Sequence, residues 1–310
     1  MGLIGSGGMG AVYLADDLRL EGRRCAVKEQ RLENAISQAG REQFRQEASI
    51  LARLDHPGLP KVSDYFTDET ANRDYLVMDY VPGQNLEQIL KQTRRKGEFL
   101  PEDTVRGWMV QLCDVLGYLH SRQPVVLHRD IKPANIKLTP ENRLKLVDFG
   151  LAKPLDPTDP RTITGLQGVG SLPYTPLEQY VDYLGHTDAR TDLYALGATC
   201  YHLATGETPP SANDRFLNPD ALIPPQKINP ALSGGFCRAI LWAMALHPKD
   251  RPPSVAVWQS AIAGDAPVPH PAVEIPAAEV PFSVRLRQNA PLIAIAALLL
   301  VWALWLTFGG

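Results

Sequence analysis

The chain has no excess of positive charge. Its formal net charge is −3 over 310 residues, which argues against the basic surface that nucleic-acid binding requires. Cysteine is scarce: Cys25, Cys113, Cys200 and Cys237 lie far apart, with no C-x-x-C pair and no histidine at ligand spacing. Neither a zinc site nor a disulfide framework is indicated, and the four read as reduced thiols of a cytosolic domain. Residues 1–10 are too short and too glycine-rich for a cleavable leader. The composition is globular, apart from one apolar run near the carboxyl end at 290–308. The length suits one large two-part domain or two ordinary ones.

What is present is concentrated in a few short stretches. In Gly5-Ser6-Gly7-Gly8-Met9-Gly10, glycines at 5, 7 and 10 let the backbone close over phosphates and present N–H groups to them. Such a loop also marks dinucleotide-binding folds, where it opens a helix. Here Ala11-Val12-Tyr13-Leu14-Ala15 follows, a β-branched and aromatic run that reads as a strand. Cys25-Ala26-Val27-Lys28 reads as another strand, with Ala26 and Lys28 on one face. Viewed alone, Lys28 reads as a solvated surface lysine. Farther on, His128-Arg129-Asp130-Ile131-Lys132-Pro133-Ala134-Asn135 is completed by Asp148-Phe149-Gly150. Asp130 can accept a hydroxyl proton, Lys132 brings a cation to the same side, and Asn135 and Asp148 supply oxygens for a hard divalent ion.

In this order the stretches resemble the protein-kinase signature set: the glycine-rich loop, the V-A-I-K lysine, H-R-D-x-x-x-x-N and D-F-G. Lys132, two residues after Asp130, resembles the serine/threonine type. The resemblance covers residues 1–263 and implies an α+β, bilobal kinase fold. Its small β-rich lobe with one main helix occupies 1–78, a hinge 79–83, and a larger helical lobe 84–263. It implies ATP contacts from Ile4, Gly5, Ser6, Gly7, Gly8, Met9 and Gly10, with Val12 over the adenine beside Ala26. Lys28 would hold the phosphates and pair with Glu47, in a stretch at 41–54 where Phe44, Ala48 and Leu51 recur at helical spacing. Met78 would be the gatekeeper, though it reads equally as core, and the Asp79 and Val81 backbones would meet the adenine edge. Asp130 would be the base, Lys132 would neutralise the moving phosphate, and Asn135 with Asp148 would hold Mg2+ (or Mn2+).

Further positions follow from the same resemblance. His128 reads as structural, and Arg129 as the loop arginine that receives a phosphate on the segment after Gly150. Thr162 and Thr164 are the candidate acceptors there, with an ordinary loop role as the alternative. Ser171 would help dock a substrate hydroxyl, Glu178 would pair with a buried Arg251, and Asp192 would brace the loop backbone, or else cap a helix. Two departures stand out: Pro176-Leu177-Glu178 replaces Ala-Pro-Glu, and Lys137 occupies the usual apolar floor of the adenine pocket. A lysine there would lay its stem under the base and send its ammonium to water. These departures, with a short first strand, motivate a rival reading: a catalytically silent pseudokinase acting as a membrane-tethered nucleotide- and protein-binding module.

The end of the chain differs from the rest. Residues 264–289 are proline- and alanine-rich and read as an extended spacer. Residues 290–308 would then span roughly 28 Å as a helix, close to the ~30 Å hydrocarbon core. Arg285 and Arg287 precede this run, so the positive-inside rule keeps the preceding domain cytoplasmic. The expectation is a single-pass, tail-anchored protein resembling the membrane-attached bacterial serine/threonine kinases. Its substrates would be protein serines and threonines, and a homodimer through the small lobe or the span stays open.

Overall fold

The computed structural model describes residues 2–7, 10–30, 45, 48–68, 70, 73–148, 169–179 and 187–268. Gly8, Met9, Glu47, Phe149, Gly150, Thr162, Thr164 and the 290–308 run lie outside the described residues. Met1–Val268 gather into one compact unit with two parts, one built on strands and one on helices.

The first part is a five-stranded antiparallel sheet. Its members are β1 (Gly2–Gly7), β2 (Gly10–Asp16), β3 (Arg24–Gln30), β4 (Val62–Asp68) and β5 (Arg73–Asp79), in the order β1-β2-β3-β5-β4. Few residues precede Gly5, yet β1 is a full strand because the glycines extend it, pairing from Gly2 opposite Leu14 to Gly7 opposite Gly10. The register sets Val12 against Lys28 and Ala26 against Met78. The candidate nucleotide residues on three strands are therefore neighbours across the sheet.

The chain then crosses to the helical part through Gly83, whose φ is +98°; a Cβ there would overlap the Leu138 carbonyl oxygen. Any side chain would push the crossing strand off its partner. A second sheet follows, β6 (Gln84–Asn85), β7 (Ile136–Leu138) and β8 (Leu144–Leu146), in that order. Helix α1 (Leu86–Arg95) starts with a capping box: Asn85 accepts from the Gln88 amide at 2.8 Å, and Gln88 accepts from the Asn85 amide at 3.0 Å.

Helix α2 (Glu102–His120) begins after Pro101, with Glu102 and Asp103 in its first turn, where the helix dipole favours acids. Trp108, Leu112, Val115, Leu116 and Leu119 are all buried, so the spacing read as core is core. Each such side chain contributes about 1.5–3 kcal/mol on burial. Helix α3 (Ala189–Thr205) is buried on nearly every side and carries almost no amphipathic stripe, as a helix through the middle of a core requires. Asp188 caps it, and helix α6 (Gly234–Ala243) crosses it at Gly197, where a Cβ would come 2.7 Å from Ala243 Cβ. Helices α4 (Ala212–Leu217) and α5 (Pro225–Ile228) precede α6, and α7 (Val255–Ala263) closes the part.

Candidate active site

Asp130 lies at the end of a loop that enters a single 3-10 turn at Pro133–Asn135. Proline fixes φ at the start of that turn and turns Asn135 back on the loop. The Asn135 amide then donates to the Asp130 carbonyl at 2.9 Å and to Asp130 Oδ2 at 2.8 Å. Lys132 Nζ reaches the same Oδ2 at 2.9 Å. From the facing 3-10 segment Val169–Tyr174, Ser171 Oγ donates to Asp130 Oδ1 at 3.0 Å and accepts from Lys132 Nζ at 2.7 Å. Four residues expected to act together thus form one closed network. Both Asp130 oxygens face donors, which fixes the carboxylate plane toward Ser171.

The loop is anchored from beneath by Asp192, which is fully buried. Its Oδ2 accepts the His128 amide at 3.0 Å and its Oδ1 the Arg129 amide at 2.8 Å. His120 Nε2, at the end of α2, lies 2.9 Å from Oδ2. Burial alone pushes the Asp192 carboxyl up, but His120 and the two loop amides outweigh it and hold it below the ordinary carboxylate range. Capping falls instead to Asp188, which takes the Arg190 amide at 2.8 Å, so Asp192 is the brace. Arg129 has φ +64°, a conformation costly for a residue with a Cβ. Its bonded amide helps hold it there. His128 is fully buried, and that burial pushes its pKa down, consistent with a neutral structural ring and not a base.

On the sheet side, Lys28 Nζ lies 2.6 Å from Asp148 Oδ1, joining the two parts across the cleft. Asp148 also has a left-handed backbone, φ +61°. Partial burial pushes its carboxyl up, but the Lys28 ammonium dominates and holds it low. Glu47, the partner expected for Lys28, lies outside the described residues. Val12, Ala26 and Met78 line the sheet face through their register with Lys28, Ala26 being buried. Ile4 is exposed at the edge. Asp79 ends β5 with its amide on the Lys61 carbonyl at 2.9 Å, and Val81 is buried just after it.

Lys137 does not send its ammonium simply to water. Nζ stands 5.4 Å from the centroid of the Tyr80 ring, a cation–π distance.

The altered Pro176-Leu177-Glu178 leaves the neighbouring structure in place. Thr175 Oγ1 donates to the Ser171 carbonyl at 2.9 Å, and Leu177–Gln179 forms a 3-10 turn. Glu178 meets Arg251 through two bonds of 2.5 and 2.9 Å, both side chains buried. Arg251 also donates to the carbonyls of Arg190, Ala245 and Leu246. Arg129 Nη2 donates to Thr187 Oγ1 at 3.3 Å, while Thr162 and Thr164 lie outside the described residues. Sequence reasoning missed three residues: His120, Tyr80 and Arg24, whose guanidinium carbon lies 5.2 Å from the centroid of the same Tyr80 ring. Arg24 was accessible to it, since it shares by alternation the β3 face of Ala26 and Lys28.

The donor set fits a divalent ion. Asn135 spends its amide nitrogen on Asp130, leaving Oδ1 for another partner, and Asp148 offers a carboxylate across from it. No cluster of three or more His, Cys, Asp or Glu suited to a metal occurs among the described residues. Such a set holds an ion by one or two protein oxygens plus substrate phosphates, and not by a protein cage.

Comparison with known proteins agrees with this chemistry. Residues 1–228 match the family model described as protein kinase domain. A serine/threonine-protein kinase B of Synechocystis is 37% identical over 67% of the chain, and serine/threonine-protein kinase PknB of Mycolicibacterium smegmatis 34% over 80%. The chain spans 37% and 40% of those two proteins' lengths. The crystal structure of the Mycobacterium tuberculosis PknI kinase domain superposes with a TM-score of 0.66 at 28% identity, covering 85% of this chain and 93% of that one.

Proposed function

Because the chain belongs to the protein kinase family, we propose that it is an ATP-dependent serine/threonine protein kinase. The observation that carries this is the closed network of Asp130, Lys132, Asn135 and Ser171 facing the Lys28–Asp148 pair. Asp130 orients the acceptor hydroxyl and takes its proton. Lys132, already between Asp130 and Ser171, sits where charge on the transferred phosphoryl group needs a partner. Lys28 binds phosphate oxygens, and Asn135 and Asp148 would hold Mg2+ (or Mn2+), which supplies neutralisation of the phosphate charge. The silent-module reading is not favoured, since none of these side chains is lost and the relatives are named as kinases.

The proposal extends to regulation and place. One or both of Thr162 and Thr164 are autophosphorylated, and Arg129 receives the phosphate. Residues 290–308 anchor the protein to a membrane with the kinase part in the cytoplasm. Supporting this are the charge-free run and the arginines before it; no helix among the described residues is long and apolar enough to cross a membrane.

The test is phosphopeptide mapping of the full chain after incubation with ATP and Mg2+. Phosphate on Thr162 or Thr164 is the expected result. A chain active on a generic protein yet unmodified at both threonines contradicts the regulatory part. A chain that modifies nothing contradicts the whole.

A further inference from the structure

At the end of the cleft away from Asp130, two cationic side chains from two strands meet on the Tyr80 ring. Arg24, Ala26 and Lys28 share one face of β3 by alternation. Lys28 marks the phosphate end through Asp148. Four residues back, about 13 Å along the strand, the Arg24 guanidinium carbon stands 5.2 Å from the centroid of Tyr80. From the other side, Lys137 on β7 brings Nζ to 5.4 Å from the same centroid. The Tyr80 ring thus lies toward the opposite end of β3 from the phosphate-binding Lys28.

The surroundings of Lys137 offer its charge little else. It sits opposite Asn85 on β6 and Lys145 on β8, and Lys145 turns its own ammonium to the Leu59 carbonyl at 3.1 Å. Arg24 is a like charge, and no ion pair joins Lys137 to an acid among the described residues. The Tyr80 ring is thus its main compensation.

We propose that Lys137 and Tyr80 together determine how the nucleotide base is accepted: the lysine stem forms the lower wall of the base slot, and the tyrosine ring holds its ammonium out of that slot. The inference rests on the kinase reading above for the identity of the ligand. A purine face needs an apolar wall, which buried Ala26 provides above and a parked lysine stem provides below. Remove the ring, and the ammonium either swings under the base or leaves with its stem. Either outcome spoils the wall. Replace the lysine by methionine, and the wall stays without the charge.

The experiment is calorimetric titration of the full chain with ATP and Mg2+, alongside phosphate transfer, for the wild type, Tyr80→Leu, Lys137→Met and the double variant. Tyr80→Leu should weaken ATP binding by about two- to thirtyfold, the range a cation–π contact spans, with the loss appearing in KM. Lys137→Met should bind at least as tightly as the wild type, and adding Tyr80→Leu to it should then cost nothing. A Tyr80→Leu chain with wild-type affinity, or the same penalty in the Lys137→Met background, overturns the proposal. Absence of ATP binding by the folded wild type overturns it as well. Binding without transfer contradicts only the kinase reading, because the four affinities still decide whether the two residues are coupled.

Discussion

A carboxylate with no access to water must be fully paired, and Asp192 meets that demand by taking two backbone amides of the catalytic loop and the His120 ring. Asp192→Asn keeps the shape but turns an NH2 toward donors. Hydrogen bonds to a charged group contribute about 1.5–3 kcal/mol each, so the variant should melt at a lower temperature and lose transfer with ATP binding largely kept. Thermal melting beside single-turnover transfer checks this; an unchanged melting temperature contradicts the brace. At this scale the motif residues were legible because each carries its chemistry in its type and spacing. Lys28, Asp130, Lys132, Asn135, Asp148 and Ser171 were named from sequence, and the described residues place them around one cleft. The left-handed backbones of Arg129 and Asp148 were not legible, since neither is glycine and only tertiary bonding sustains them. Nor was the place of the Lys137 ammonium, which depends on a ring far from it in sequence.

Between elements, much of the order depends on polar pairs buried where segments cross. The segment Val169–Tyr174 is tied to α3 by Tyr174 Oη and His202 Nδ1, 2.7 Å apart. Burial pushes the His202 pKa down to about 4 from its ordinary 6.5. The unfolded chain therefore takes a proton near pH 6.5 that the folded chain refuses until about pH 4. Between those values the unfolded state binds more protons, so acid favours unfolding. Stability should fall as pH drops through that window, with this residue accounting for up to roughly 3 kcal/mol. Urea titrations at several pH values check it: His202→Gln should show a shallower loss than the wild type, and identical slopes contradict it. Strands and long helices were legible in outline. The expected helix from Leu100 is α2, starting at Glu102, and the run at Tyr75 is β5, starting at Arg73. Helix α1 was not singled out, because its apolar residues are few and its start rests on the Asn85–Gln88 box.

For the molecule as a whole, sequence alone indicated two lobes, a kinase likeness and an anchored tail. The two lobes and the family are now established for the compact unit Met1–Val268. The family model ends at 228, whereas helices α6 and α7 continue beyond it and complete the core through Trp258, whose indole donates to the Ala239 carbonyl at 2.8 Å. The tail remains a matter of composition, legible because a charge-free run of membrane length needs no tertiary context to be read. The full chain should sediment with membranes and resist extraction by alkali or salt, while Leu299→Arg with Val301→Arg should release it. Recovery of the unaltered chain in the supernatant contradicts the anchor.

Phosphate transfer through Asp130 is the central claim. The measurement is incorporation of radiolabel from γ-labelled ATP with Mg2+ into the full chain and a generic basic protein, with Asp130→Asn alongside. Label on serine or threonine, reduced about 10²- to 10⁴-fold in the variant while ATP binding persists, is the predicted result. Label that the variant incorporates equally, or no label from a wild type that binds ATP, contradicts it.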